Sequence, residues 1–127
     1  MCIRDRHWWI NKKRFFLRGT NYIPTQWLSE MTSADYQFDV ALMQKAHINV
    51  VRVHAHVGSH DFYAQCDQAG LLVWQDFPLQ WGYQDTMEFQ KQAISQAQKM
   101  VDQFSLHPSI IAWSLHNEPP WLSLIHI

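Results

Sequence analysis

The sequence predicts an α/β fold: about four βα units, the first half of a (β/α)8 TIM barrel, preceded by a short hairpin. Three observations predict it. Short β-branched runs alternate with stretches of helical period. These runs are apolar almost throughout, as strands covered on both faces must be. No Gly-rich turn follows any strand, so the fingerprints of dinucleotide and phosphate-loop folds are missing. A whole barrel needs about 250 residues, and 127 residues hold about four strand units.

The elements follow in order. Residues 7–10 and 14–17 read as two short strands joined by a turn at Asn11, Lys12 and Lys13. Residues 18–21 extend the second strand, and a loop with Pro24 and Trp27 runs to Met31. Thr32 or Ser33 caps a helix reaching about His47, with Tyr36, Val40, Met43 and Ala46 on one face. Residues 48–55 (INVVRVHA) form a buried strand. Gly58 and Ser59 start a second helix with Phe62, Tyr63, Cys66 and Ala69 apolar, and Gly70 ends it at the C′ position. Residues 71–77 (LLVWQDF) are the next strand. Thr86 caps a third helix whose stripe is Phe89, Ala93, Ala97, Met100 or Val101, and Phe104; Pro108 stops it. Residues 110–115 (IIAWSL) are the last strand. The order strand, helix, strand, helix, strand, helix, strand means parallel βαβ units.

Composition narrows the function. Hydrophobic residues make up 47%, charged residues 17%, and the formal net charge is −1. Such a chain is not of the disordered class. With no basic excess to neutralise phosphates, nucleic acid is excluded as the expected partner. No apolar run approaches the roughly 20 residues of a membrane span. Two cysteines, Cys2 and Cys66, cannot make a disulfide framework. Residues 1–6 (MCIRDR) and 122–127 (LSLIHI) continue no pattern in their neighbours and read as non-native sequence. The native N-terminus is then missing as well, so compartment stays open.

Chemistry concentrates at strand ends. Alternation in the second buried strand sets Val51, Val53 and Ala55 against Val50, Arg52, His54 and His56. A charge and two imidazoles on one buried face cost roughly several kcal/mol unless paired. They form either a structural ion pair with satisfied core histidines or the lining of a site. The site reading gains weight because barrel chemistry sits at the C-terminal strand ends. Asp76 and Glu118 both lie there. Glu118 is either a solvated turn carboxylate or an acid among aromatics, and Asn117 beside it can bond a hydroxyl. Trp74, Trp81, Tyr83, Trp113 and Trp121 could each stack on a sugar face, though core packing is the commoner role for any one of them; Trp81 and Tyr83, in a loop after a strand, are better placed to stack than Trp113. His54-x-His56 with His60 has ligand types at plausible metal spacing. Metal barrels with such a pair carry it on the first strand, however, so no metal site is assigned. Cys66 sits on an apolar helix face, where a thiol is inert.

Four segments then carry a resemblance, in order. They are NKKRFFLRGTNYIP (11–24), DVALMQKAHINVVRVHAH (39–56), FYAQCDQAGLLVWQDFP (62–78) and HPSIIAWSLHNEP (107–119). Residues 11–121 resemble the start of the catalytic domain of glycoside hydrolase family 2, the β-galactosidase, β-mannosidase and β-glucuronidase family. The Asn-x-Val-Arg pattern falls at Asn49–Arg52, and the Cys-Asp-x-x-Gly-Leu pattern at Cys66–Leu71.

The resemblance implies a fragment of a retaining exo-β-glycosidase acting on a carbohydrate β-glycoside. It implies Glu118 as general acid/base and Asn117 as ligand of the sugar 2-hydroxyl. Arg52 supports the nucleophile electrostatically, and His54 and Asp76 match positions facing the sugar. It divides the chain into a hairpin from a preceding domain (7–14) and half a barrel (15–121). The family's nucleophile is a glutamate at the end of the seventh strand, so none is assigned here. The chemistry needs no cofactor. Some β-galactosidases of this family bind Mg²⁺, but too few ligand positions are visible to place it. His116 stands where the β-galactosidase branch has glycine, and Trp74–Phe77 is nearer the β-mannosidase branch. The sugar and oligomeric state stay open. Two alternatives are a cellulase- or mannanase-type barrel, which also uses Asn-Glu-Pro, and a non-catalytic carbohydrate-binding relative. In either enzyme reading, a half-buried Glu118 ringed by aromatics has its pKa raised by desolvation.

Overall fold

The computed structural model describes residues 2–4, 7–25 and 27–118, and of residues 2–4 the backbone alone. Residues 122–127 and Trp121 lie outside the described residues. Two sheets result. An antiparallel sheet holds β1 (Cys2–Arg4), β2 (His7–Ile10) and β3 (Lys13–Phe15) in that order. A parallel sheet holds β4 (Gly19–Tyr22), β5 (Val50–Val53), β6 (Leu72–Asp76) and β7 (Ile110–Ser114), again in chain order. The crossovers carry α1 (Ser33–Lys45), α2 (His60–Ala69) and α3 (Met87–Phe104).

The hairpin is tighter than the sequence reading. Its loop is two residues, Asn11 and Lys12, both at positive φ, and Lys13 already pairs with Ile10. Two successive positive φ values match the strand twist, which favours this short loop. Cys2–Arg4 pairs with β2 through backbone bonds on an open edge, although residues 1–6 fit no sequence pattern.

Residues 18–21 do not extend the hairpin strand. Asn49 intervenes: its Oδ1 accepts from Arg18 N at 2.8 Å and its Nδ2 donates to Phe16 O at 2.9 Å. These bonds consume the backbone groups that would have prolonged β3. They hand the chain to β4, which pairs in parallel with β5 (Gly19 with Val50, Tyr22 with Val53). A Cβ on Gly19 would stand 2.7 Å from Val50 Cγ1, so only glycine allows that approach.

Helix starts are as the sequence predicts. Thr32, Ser59 and Thr86 each accept a backbone N–H from the residue three positions on, and Thr32 with Asp35 completes a capping box. Each such cap contributes about 1 kcal/mol. Gly70 ends α2 at φ 66°. α1 stops at Lys45, short of the expected His47, and Ala46 is exposed rather than on the apolar face. There the chain turns through His47 at φ 57°, which closes the helix early.

All three helices bury their apolar residues in one cluster. Tyr36 and Val40, Phe62, Tyr63 and Cys66, and Met100 and Phe104 meet Val51, Val53 and Val73 of the sheet. The helices therefore cover one face only. Sequential parallel order with one-sided helices is barrel architecture, not a doubly wound sheet with helices on both faces.

Candidate active site

The face of the sheet away from the helices carries the polar residues. Register pairs Asn21 with Arg52, Arg52 with Trp74, Trp74 with Ala112, and Asp76 with Ser114. A hollow of about 450 Å³ opens here, walled by Gly19, Asn21, Val50, Arg52 and Trp74 among others. The sequence alternation holds through Val53 and then fails. β5 ends at Val53, and Ala55 takes φ 54°. His56 therefore does not continue the Arg52 face.

Arg52 organises this face. Its Nε donates to Asp76 Oδ1 at 3.0 Å, its Nη2 lies 2.8 Å from Asp76 Oδ2, and Nη2 also donates to Asn117 Oδ1 at 2.8 Å. Asp76 is fully buried and takes a further bond from Ala55 N at 3.1 Å. The carboxylate is thus saturated, which is what a buried charge requires. Asp76 was expected to face the sugar; it shares a sheet face with Arg52 but is fully buried and bonded to it. Asn117 is only 4% exposed, and Arg52 occupies its Oδ1. Its Nδ2 is left as the donor for a further oxygen.

Glu118 follows directly. Its Oε2 accepts the Trp81 indole N–H at 2.9 Å. The two loops are tied by backbone too: Trp81 N donates to Asn117 O and Asn117 N to Leu79 O. Trp81 is 63% exposed, and Glu118 is also exposed. The expectation of a half-buried Glu118 is therefore wrong for this chain. Among the described residues its hydrogen-bonded neighbour is a surface indole, and no layer of chain covers it.

Three non-glycine residues sit at left-handed φ at successive strand ends: Ala55 after β5, Trp81 after β6 and Glu118 after β7. Each such residue costs roughly 1–2 kcal/mol. All three lie toward one end of the parallel sheet, as the Arg52–Asp76 ion pair does.

His54 donates its backbone N–H to Tyr22 O, and its buried Nδ1 has no partner among the described residues. His56 is held by burial below the ordinary histidine range, and its Nδ1 lies 3.0 Å from His54 O. No group of three metal-ligating side chains occurs among the described residues, so the His54, His56 and His60 pattern does not converge. Of the aromatics, Trp113 packs on the core and Trp74 lines the hollow. Tyr83 stacks on Phe89 with ring centroids 4.7 Å apart. Cys66 is fully buried, its thiol pushed up to about 12 by burial and then by Asp67.

Sequence reasoning missed Gln75. It is fully buried on the helix side of β6, between Val73 and Phe77. It accepts the Tyr63 hydroxyl and donates to His56 O at 2.7 Å and Asp76 O at 2.6 Å. Tyr63 in turn accepts from Gly58 N. This network fixes the loop that follows β5. The signal was legible: a lone amide at the helix-facing parity of an apolar strand.

The chain was compared with known proteins. Residues 1–126 match the family described as glycosyl hydrolases family 2, TIM barrel domain. Beta-mannosidase of Bos taurus is 32% identical over 113 residues, covering 86% of this chain and 13% of that protein. The beta-galactosidase large subunit of Latilactobacillus sakei is 30% identical, covering 91% of this chain and 21% of that one. The crystal structure of beta-D-mannosidase from Dictyoglomus thermophilum superposes with a TM-score of 0.76 at 28% identity, over 84% of this chain and 14% of that one. The beta-glucuronidase of Parabacteroides merdae gives 0.76 at 29% identity, over 87% and 15%. The chain thus spans between 13% and 21% of these relatives, and it belongs to glycosyl hydrolases family 2, within the TIM barrel domain.

Proposed function

We propose that this chain carries the acid/base half of a retaining β-glycosidase site, with Glu118 as the general acid/base. The observation that carries the reading is the Trp81–Glu118–Asn117–Arg52–Asp76 chain of contacts at the C-terminal ends of β5, β6 and β7. Glu118 protonates the leaving oxygen and later deprotonates water. The Trp81 indole N–H holds one of its oxygens, leaving the other to reach the glycosidic bond. Asn117, oriented by Arg52, donates through Nδ2 to the sugar 2-hydroxyl, and His54 lines the same side. Trp81 offers its exposed ring to the sugar.

Retention needs a second carboxyl about 5–5.5 Å from the first. Asp76 cannot serve, because Arg52 and Ala55 N occupy both its oxygens. The nucleophile is thus assigned to none of the described residues, and the seventh barrel strand is where the family reading puts it. The relatives' names supply the substrate class: β-mannosides, β-galactosides and β-glucuronides. The chemistry draws on protein side chains alone.

The test uses the full-length protein that contains this chain. Nitrophenyl β-mannoside, β-galactoside and β-glucuronide are offered, and proton NMR follows the first-formed anomer. One substrate is expected to turn over with the β-anomer released first. First release of the α-anomer, or binding without turnover, would refute the retaining mechanism.

A further inference from the structure

Two sequence patterns remain without a role: Cys-Asp-x-x-Gly-Leu at the end of α2 and His-Pro-Ser before β7. They meet in space. Asp67 Oδ2 lies 2.6 Å from His107 Nδ1, and Asp67 Oδ1 accepts from Ser109 N at 2.9 Å. His107 Nε2 is 3.3 Å from His60 Nδ1, and His60 Nε2 is 3.2 Å from Gln103 Nε2. The rings of Tyr63, Phe104 and His60 pack around His107.

The bonding fixes the protons. A carboxylate only accepts, so His107 carries its proton on Nδ1. In its neutral form His107 accepts at Nε2, and His60 then donates from Nδ1. His60 in turn accepts at Nε2 from the Gln103 amide. The relay runs one way, from Gln103 to Asp67.

These contacts form a latch on a strand whose register carries an irregularity. Val73 pairs with Ile110, but the next residue, Trp74, pairs with Ala112, so Ile111 is an extra residue in β7. The bulge lets Ile110 and Trp113 both face the core, three residues apart. It also puts Ser114 opposite Asp76 and carries Asn117 to Arg52. A slip of one residue would turn each side chain to the other face.

We infer that Asp67 is a positioning residue: it pins Ser109 so that the bulge falls at Ile111 and delivers Asn117 and Glu118 to Arg52 and Trp81. The role rests on the proposed function of Glu118, but the contacts do not.

The test is nitrogen NMR on the ¹⁵N-labelled chain, which reads imidazole protonation sites, the Trp81 indole and amide exchange without any glycoside turnover. In the wild type, His107 and His60 both carry Nδ1 protons, and Glu118→Gln shifts the Trp81 indole signal. In Asp67→Asn the new amide donates to His107 Nδ1, the proton of His107 moves to Nε2, and the indole response persists. In Asp67→Ala the response is lost and exchange in β7 rises by about tenfold, while β5 keeps its protection. A wild-type response and wild-type β7 protection in Asp67→Ala overturn the proposal. If that variant does not fold, His107→Leu and His107→Asn decide. Asn keeps a donor where Nδ1 stood and keeps the response, whereas Leu loses it; equal responses overturn the proposal. An intact latch in a full-length protein without hydrolase activity would refute the proposed function and leave the latch standing.

Discussion

Val51, Val53 and Val73 on one face of the parallel sheet are sealed under three helices, while on the other face Arg52 and Trp74 wall an open hollow and Arg52 covers the buried Asp76. The same strands supply both. On the helix face, stability comes from apolar burial, about 1.5–3 kcal/mol for each fully covered large side chain. On the other face it comes from saturation of a buried charge, where each partner is needed by the rest. The difference teaches where this sequence can vary. Volume-conserving apolar swaps on the helix face cost little, typically under about 1.5 kcal/mol. No comparable freedom exists around Asp76, because its oxygens are committed to Arg52 and Ala55 N.

The sharpest way to break this contrast is Arg52→Met. It leaves Asp76 buried and unpaired, and urea unfolding should show a loss of about 3–5 kcal/mol. Adding Asp76→Leu should recover most of that loss, because the double variant removes the stranded charge. If the single variant were as stable as wild type, the polar face would not be held by saturation.

A smaller effect is expected from pH. Burial raises Asp67, but bonds from Ser109 and His107 outweigh it and hold the carboxyl below its ordinary value. The stability it contributes is present above the unfolded value near about 3.9 and is lost as pH falls through the lowered folded value. His56 is depressed by burial, so its protonation also favours the unfolded chain, beginning below about 6.5. Both groups make stability rise with pH through the acid range. Thermal unfolding between pH 7 and pH 3 should show a falling midpoint, and His56→Gln should flatten the upper part of that fall. A midpoint that is flat or rises on acidification would reverse the sign.

The smallest effect belongs to Ala55→Gly, which relieves the φ 54° strain at the end of β5. Relief and the added freedom of the unfolded chain oppose one another. The unfolding free energy should stay within about 1 kcal/mol of wild type. A larger loss would show that the Ala55 methyl has a packing role.

Much of this division was legible in the sequence, and for a physical reason. Alternation separates faces, so Val51 and Val53 parted from Arg52 without any structure. Caps announce helices, so Thr32, Ser59, Thr86 and Gly70 marked their ends. Where alternation stops, reading fails. Ala55 at positive φ turned His56 away from the face of Arg52, and nothing in its side chain foretells that. The break between β3 and β4 was hidden because it depends on Asn49, some 30 positions downstream. The exposure of Glu118 was misjudged because aromatic neighbours in sequence need not lie over a side chain in space. The Asp67, His107 and Ser109 contacts could be read only as two separate patterns, since sequence carries no distance between them.

The central claim is that Glu118 gives and takes the proton at the glycosidic oxygen. The direct measurement is hydrolysis by the full-length protein that contains this chain, as wild type and as Glu118→Gln, on two glycosides of the same sugar. One has a leaving group acidic enough to depart unaided, and the other has a poor, alkyl-type leaving group. The variant should lose about 10²–10⁴-fold on the poor leaving group and far less in bond cleavage on the activated one. Equal losses on both, or wild-type rates on the poor one, would contradict the role assigned to Glu118.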